Sequence, residues 1–203
     1  YKRAQWPLII TITGASGAGK SSIVKKFLEM RTSARLIKSL TTRSPRPSDL
    51  PDEYECGMPK EEFEKRKSEF LWILPAHGNF YGTLKTSVHD AIEPYFSFST
   101  RLMVLVPEAV VLLREYLSKL WSEEYLDRLI SFYVLSPDEE ELRRRLLIRG
   151  DNETAIQKRI GDCEKWDRDA LESDIPYIFL PNPPNPNPTA GIEETAKQML
   201  AFL

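Results

Sequence analysis

Gly14-Ala-Ser-Gly-Ala-Gly-Lys20-Ser21 is the stretch that decides the fold. It satisfies the spacing GxxxxGK[ST] in full, and its surroundings supply the context this spacing requires. Before it runs Pro7-Leu-Ile-Ile-Thr-Ile-Thr13, a short β-branched apolar segment of the sort buried on both faces of a parallel sheet. After it, Ser21 to Met30 reads as a helix. Glycines let the backbone curl so that successive N–H groups face phosphate oxygens, and the helix N-terminus adds its positive end. Gly14, Ala15, Ser16, Gly17, Ala18, Gly19, Lys20, Ser21 and Ser22 are therefore the expected loop for a nucleoside triphosphate. Lys20 is placed to reach the β- and γ-phosphates, and the Ser21 hydroxyl to help hold Mg²⁺.

Outward from the loop, short apolar runs at Leu102 to Val106, Leu129 to Leu135 and Tyr177 to Leu180 alternate with helical segments such as Ala109 to Trp121 and Asp138 to Arg149. That alternation predicts a parallel α/β sheet with right-handed crossovers, a three-layer fold. Two regions break it. From about 36 to about 94, short polar strands and turn residues replace the βα rhythm, as an inserted subdomain would. From about 143 to about 166, an Arg-rich stretch is interrupted by Gly150-Asp-Asn152, the pattern of a hinged flap. The core is then expected in 1–35, 95–142 and 167–203 of a single domain spanning 1–203. Pro181-Asn-Pro-Pro-Asn-Pro-Asn-Pro188 reads as a connector, because proline fixes φ and lacks an amide donor, and a final helix is expected over Ile192 to Leu203.

Composition narrows the class. At 203 residues the chain can bury a substantial core unaided, and no apolar run nears the roughly 20 residues that a bilayer span requires. A net charge of −2 argues against a whole-surface affinity for nucleic acid or anionic lipid, so any anion site is local. Cys56 and Cys163 have no metal-type spacing and suggest neither a disulfide framework nor zinc, which makes a reducing cytosol the simplest home. The chain opens at Tyr1 rather than Met, read as a fragment boundary, and no period of 20 to 50 residues repeats. His77 and His89 read as surface or packing residues.

Within the insert stands Ser39-Leu-Thr-Thr-Arg43-Ser-Pro-Arg46-Pro, and further on Gly78-Asn79-Phe80-Tyr81-Gly82-Thr83. These resemble the SxxTTRxPR and GNxYGT motifs of guanylate kinases, in the family's order, and the resemblance covers nearly the whole chain. It implies a phosphate-loop fold with an inserted nucleoside-monophosphate-binding subdomain and an Arg-rich lid. It implies ATP as co-substrate with Mg²⁺, nucleotide partners only, a cytoplasmic monomer or homodimer, and transfer of phosphate to GMP or dGMP. In the family, residues matching Arg43, Arg46, Tyr54 and Tyr81 hold the acceptor's phosphate, and those matching Ser39 and Thr83 lie close to guanine. The residue types agree: two guanidinium groups three apart, stiffened by Pro45, suit a phosphate monoester. In the lid, Arg145 and Arg149 share a helix face and Arg159 follows on the next helix, so closure would gather all three at the phosphates. Arg143 and Arg144 read as surface charge, paired with Glu139, Glu140 or Glu141. Such chemistry needs no general base, because the attacking oxygen is already anionic; alignment and charge compensation by Lys20, Mg²⁺ and the lid carry it.

Three positions depart from the family. Its guanine-reading Glu is matched by Trp72, which is either core packing or a stacking surface for another base, with Glu69 as a substitute only through a shifted register. Its acidic strand pattern is matched by valines, Val106 among them, leaving Glu108 or Asp174 as stand-ins. The segment from Pro47 to Glu53 is one residue short and lacks glycine, which makes Tyr54 the weakest match. Two other readings therefore stay open: the same chemistry on a different nucleotide or sugar phosphate, and a binding module that has lost catalysis.

Overall fold

The structure is a computed structural model and describes residues 6–47, 49–76, 78–92, 99–120, 123–182 and 187–203. Its strands are β1 (Leu8–Thr13), β2 (Arg35–Leu36), β3 (Ser39–Thr41), β4 (Tyr54–Glu55), β5 (Phe70–Ala76), β6 (Asn79–Leu84), β7 (Thr100–Val104), β8 (Leu129–Val134) and β9 (Tyr177–Leu180). Its helices are α1 (Lys20–Met30), α2 (Lys60–Lys65), α3 (Lys85–Ile92), α4 (Pro107–Leu120), α5 (Glu139–Ile148), α6 (Glu153–Leu171) and α7 (Pro188–Ala201). A parallel sheet runs in the order β2-β7-β1-β8-β9, and a smaller sheet in the order β4-β3-β6-β5. All six residues of β1 are buried, as the β-branched run requires of a central strand. The α/β class expected from the alternation is the one observed. No helix among the described residues is long and apolar enough to cross a membrane.

Two compact units divide the chain: 1–11 with 33–130, and 12–32 with 131–203. The first holds the small sheet. Its strands alternate faces, and Leu40, Phe63 and Phe70 form a core on one side with Ile73, Phe80 and Leu84 packed against them. Gly82 lies under that aromatic pair, where an added Cβ would stand 2.5 Å from Phe70 Cδ1 and 3.1 Å from Phe63 Cε1. Gly82→Ala is expected to lower stability by about 1–3 kcal/mol, measured by urea unfolding, because the stacked rings must shift to admit a methyl group.

In the second unit, Leu142 and Leu146 of α5 meet Ile156, Ile160 and Cys163 of α6, and this core includes Ala15 of the loop after β1. The spacings of four and three residues put each set on one helix face. Asp138 caps α5 by accepting from the Glu141 N–H at 2.8 Å, and Asn152 caps α6 by accepting from the Ala155 N–H at 2.9 Å. Asp167 ties α6 to the end of β8, accepting from the Tyr133 hydroxyl and from the Ser136 N–H, both at 2.9 Å.

Several element boundaries differ from expectation, and two of the shifts have a plain physical cause. The last helix starts at Pro188 rather than Ile192 and stops at Ala201. Proline at a helix's first position forfeits no hydrogen bond, and Asn187 caps the turn, so the final proline of the rich stretch opens the helix it was expected to precede. Strand β7 ends at Val104 rather than Val106, because the Val106 carbonyl already accepts from the Ala109 and Val110 N–H groups as α4 begins. His77, Trp121, Pro94 and residues 183–186 lie outside the described residues.

Candidate functional site

The candidate donor-side residues lie in the second unit. Thr13 ends β1, and the chain turns through Gly14, Gly17 and Gly19 at φ of +152°, +95° and +91° before α1 begins. Gly19 supplies α1 with no side-chain cap, so the first helical N–H groups are left to whatever the loop binds. Lys20 donates from Nζ to the Gly14 and Ala15 carbonyls at 2.7 and 2.8 Å, which holds its cation across the mouth of the loop. Ser21 is half-buried and Ser22 exposed on the first turn of α1.

Arg145, Arg149 and Arg159 all reach the loop. Arg145 donates from Nη1 to the Gly17 carbonyl at 3.4 Å, while Arg149 and Arg159 donate to the Ser16 hydroxyl at 3.5 and 2.8 Å. Each is also held by an anion or amide. Arg145 Nε bonds Glu141 at 2.7 Å and its Nη2 bonds Asn182 Oδ1 at 3.4 Å. Asp151 pairs with Arg149 and, at 3.5 Å, with Arg159 Nε. Asn182 donates in turn to the Ala18 carbonyl at 2.7 Å and the Leu135 carbonyl at 3.1 Å. Arg143 and Arg144 pair on the surface, Arg143 with Glu153 at 2.6 Å and Arg144 with Glu141 at 2.7 Å. A cavity of about 380 Å³ opens beside the loop, lined among others by Ala18, Gly19, Ile23, Arg144, Asn182 and Ile192.

Hydrogen bonds from Arg144 and then Arg145 hold the Glu141 carboxyl down at about 2, against an ordinary value of 4.5. A lowered folded-state value gives stability that is fully present above the unfolded value and is lost as pH falls from about 4.5 to about 2. Glu141→Gln is therefore expected to be less stable than the parent by about 1 kcal/mol at pH 6, with the gap narrowing by pH 3, in denaturant titrations at the two pH values.

The candidate acceptor-side residues lie in the first unit, on the small sheet's other face. Ser39 pairs with Tyr54 in the β3–β4 register, Thr41 with Tyr81, and Trp72 with Thr83. The Ser39 and Thr83 hydroxyls, both buried, share a hydrogen bond of 2.7 Å. Tyr54 and Tyr81 meet edge to face with ring centroids 5.9 Å apart, and Arg43 Cζ lies 5.5 Å from the Tyr54 centroid. Burial raises the Tyr54 hydroxyl's pKa well above its usual value, so it stays a neutral donor. Asn79 accepts from the Thr42 hydroxyl at 3.4 Å and thereby ties β6 to the turn after β3.

Arg43 and Arg46 do not form a symmetric pair. Arg43 is buried, and its two terminal nitrogens donate to the two oxygens of Asp49 at 3.1 and 2.8 Å. Arg46 is exposed and gives Asp49 only its backbone N–H, at 2.7 Å. Sequence reading missed Asp49, Asp151 and Asn182; the one available signal was Asp49 three residues beyond Arg46, the offset at which an acidic side chain can reach back to the N–H that opens a turn. Trp72 is 6% exposed beside Thr83, which is a packing environment. Glu69 is bound to Arg66 at 2.9 Å ahead of β5 and does not replace a strand carboxylate. Glu108 and Asp174 are exposed, and no group of three or more His, Cys, Asp or Glu among the described residues is arranged to hold a metal.

A phosphate loop on which three arginines converge, in a chain that also carries a hydroxyl- and arginine-bearing sheet, is the arrangement expected of a nucleoside monophosphate kinase. No family model matches the chain. It is 30% identical over 176 residues to the guanylate kinase of Symbiobacterium thermophilum, covering 85% of this chain and 77% of that one. It is 32% identical over 157 residues to the guanylate kinase of Clostridioides difficile, covering 76% and 71%. The chain belongs to the guanylate kinase family. Among solved structures, the guanylate kinase of Anaplasma phagocytophilum shares the fold, with a TM-score of 0.60 at 22% identity over 98% of this chain and 85% of that one.

Proposed function

We propose that the chain transfers the γ-phosphoryl group of ATP to GMP or dGMP, yielding GDP or dGDP. The observation that carries this reading is the contact of Arg145, Arg149 and Arg159 with Gly17 and Ser16, three cations at the rim of a phosphate loop. In phosphoryl transfer, charge develops on the equatorial oxygens of the moving group, and preorganised cations at that place are what catalysis requires. Lys20 would exchange two neutral carbonyl acceptors for charged phosphate oxygens, which accept stronger hydrogen bonds. The cavity lined by Ala18, Asn182 and Ile192 has the size for the donor's base.

Mg²⁺ fits at Ser21, since this ion keeps several waters and takes most other ligands from phosphate, so the loss of a strand carboxylate at Val106 is compatible with binding. When bound there, the ion would supply charge compensation for the donor's phosphates. Arg43, Arg46, Tyr54 and Tyr81 would hold the acceptor's phosphate, and Ser39 with Thr83 would face its base. Residues of about 36–94 are the acceptor insert in this reading and those of about 143–166 the lid. Both cysteines are free, in keeping with a cytoplasmic protein.

An ATP-coupled assay against GMP, AMP, CMP, UMP, their deoxy forms and sugar phosphates tests the proposal. ADP formation with GMP or dGMP well above the rest is expected. Turnover of another acceptor in preference to GMP would overturn the acceptor assignment, and the burial of Trp72 where the family has a guanine-reading Glu is the observation that makes the full panel worth running.

A further inference from the structure

The carboxylate of Asp49 gathers more hydrogen bonds than any simple surface pair requires. It accepts from Arg43 Nη1 and Nη2 at 3.1 and 2.8 Å and from the Arg46 N–H at 2.7 Å, with Cys56 Sγ at 3.7 Å. The Arg43 side chain is only 8% exposed and that of Asp49 19%. Two donors from one guanidinium to both oxygens of one carboxylate fix the plane and the rotation of the head group, which a single bond does not. The Arg43 Nη1 is further tied to the Ser44 carbonyl at 2.8 Å. Burial works against the Arg43 charge, but the Asp49 hydrogen bonds and charge outweigh it and keep the guanidinium firmly protonated.

Two roles fit a carboxylate bonded to a phosphate-binding arginine. It can occupy the anion's place and compete with the acceptor, or it can stand behind the arginine and aim it. Three observations favour the second. Asp49 uses only the Nη1 and Nη2 end, and the Arg43 Nε–H takes no partner among the described residues, which leaves the Nε side of the fork for a ligand. Neither the Tyr54 nor the Tyr81 hydroxyl bonds to Asp49 among the described residues, so the carboxylate is not held as an anion shared by all four proposed phosphate ligands. The same oxygen that receives Arg43 Nη1 also receives the Arg46 N–H, so one residue sets both the Arg43 head group and the backbone from which Arg46 projects.

We infer that Asp49 is a positioning residue for the acceptor's phosphate, which fixes Arg43 as a rigid, charge-compensated donor and leaves exposed Arg46 to supply the net positive charge. The division of labour is physical. Arg43 and Asp49 cancel as charges, so Arg43 contributes direction, while the Arg46 guanidinium, with no side-chain partner among the described residues, contributes long-range attraction. This rests on the acceptor reading of Arg43 and Arg46 proposed above.

The test compares Asp49→Asn, Asp49→Glu and Arg43→Ala in steady-state kinetics with GMP and ATP. Asparagine keeps one carbonyl oxygen for the Arg46 N–H but loses the bidentate anion. Positioning predicts that Asp49→Asn raises the KM for GMP about tenfold with kcat within about threefold and the KM for ATP unchanged, and that Asp49→Glu recovers part of the loss. A KM for GMP that falls in Asp49→Asn would identify a competitor rather than a positioner, and an unchanged KM would identify a merely structural pair; either overturns the inference. If Asp49→Asn does not fold, Asp49→Glu decides alone, since a displaced carboxylate raises the KM for GMP under positioning and lowers or preserves it otherwise. Arg43→Ala separates the two levels. A raised KM there with no effect at Asp49 sinks only this inference, whereas no effect at Arg43 sinks the acceptor reading itself.

Discussion

Gly14→Ala is expected to cost about 3 kcal/mol of folding stability and to remove nearly all phosphoryl transfer, a combination few single methyl groups produce. Gly14 has φ of +152°, and a Cβ built on it would stand 2.5 Å from the Val134 carbonyl oxygen. The Cβ position is fixed by the backbone and its partner is a backbone oxygen of Val134, the last residue of β8, so no side-chain rotation can relieve the clash. The loop must instead lift from the strand, which pulls the Gly14 carbonyl away from Lys20 and the loop away from the arginines at Ser16 and Gly17. Urea unfolding and the ATP-coupled assay measure the two effects. A variant of parental stability and activity would mean that the loop does not pack against β8 as described.

Lys20→Ala should separate what Gly14→Ala joins. Its effect is expected almost wholly on catalysis, a fall in kcat of about a thousandfold with a melting temperature within a few degrees of the parent. The ammonium group bonds two carbonyls of a loop whose conformation is already set by its glycines and by the packing of Ala15 on α5 and α6, so its removal leaves the loop's shape intact. Loss of a cation aimed at the transferring group is not repaired by rearrangement, and arginine should not rescue it, because a planar fork differs from a compact ammonium in reach and donor geometry. Near-normal turnover in Lys20→Ala would remove the phosphate loop from the proposed mechanism.

Local rules made the loop and the elements beside it legible. The loop's glycines, the β-branched run before it and the helix after it are all set by short-range backbone physics, and β9 stands at Tyr177–Leu180, where its apolar run placed it. Charges at helical spacing likewise put Arg145 and Arg149 on one face. What the sequence hid were interactions whose partners are distant or whose backbone is irregular. Ser39 and Thr83 are 44 residues apart and meet only through strand pairing. Asp49 sits in a loop with no periodicity to mark it, and Asn182 was masked by prolines that drew attention to what the segment could not form. Composition misled at Pro188 for the same reason, since proline breaks helices in their interior and suits their start.

Helix α6 carries a final consequence. Asp167 pins it to the end of β8, and Arg159 projects from it toward Ser16 eight residues earlier, about 12 Å along the axis at 1.5 Å per residue. If the helix moves as a rigid body, it would act as a lever with its fulcrum at Asp167 and its working end at the phosphate loop. A tilt of only about 15° about that fulcrum would sweep Arg159 through about 3 Å, the difference between touching a phosphate and releasing it. Substitutions at Tyr133 or Ser136, which hold Asp167, would then act on turnover by loosening the pivot and not the arginine.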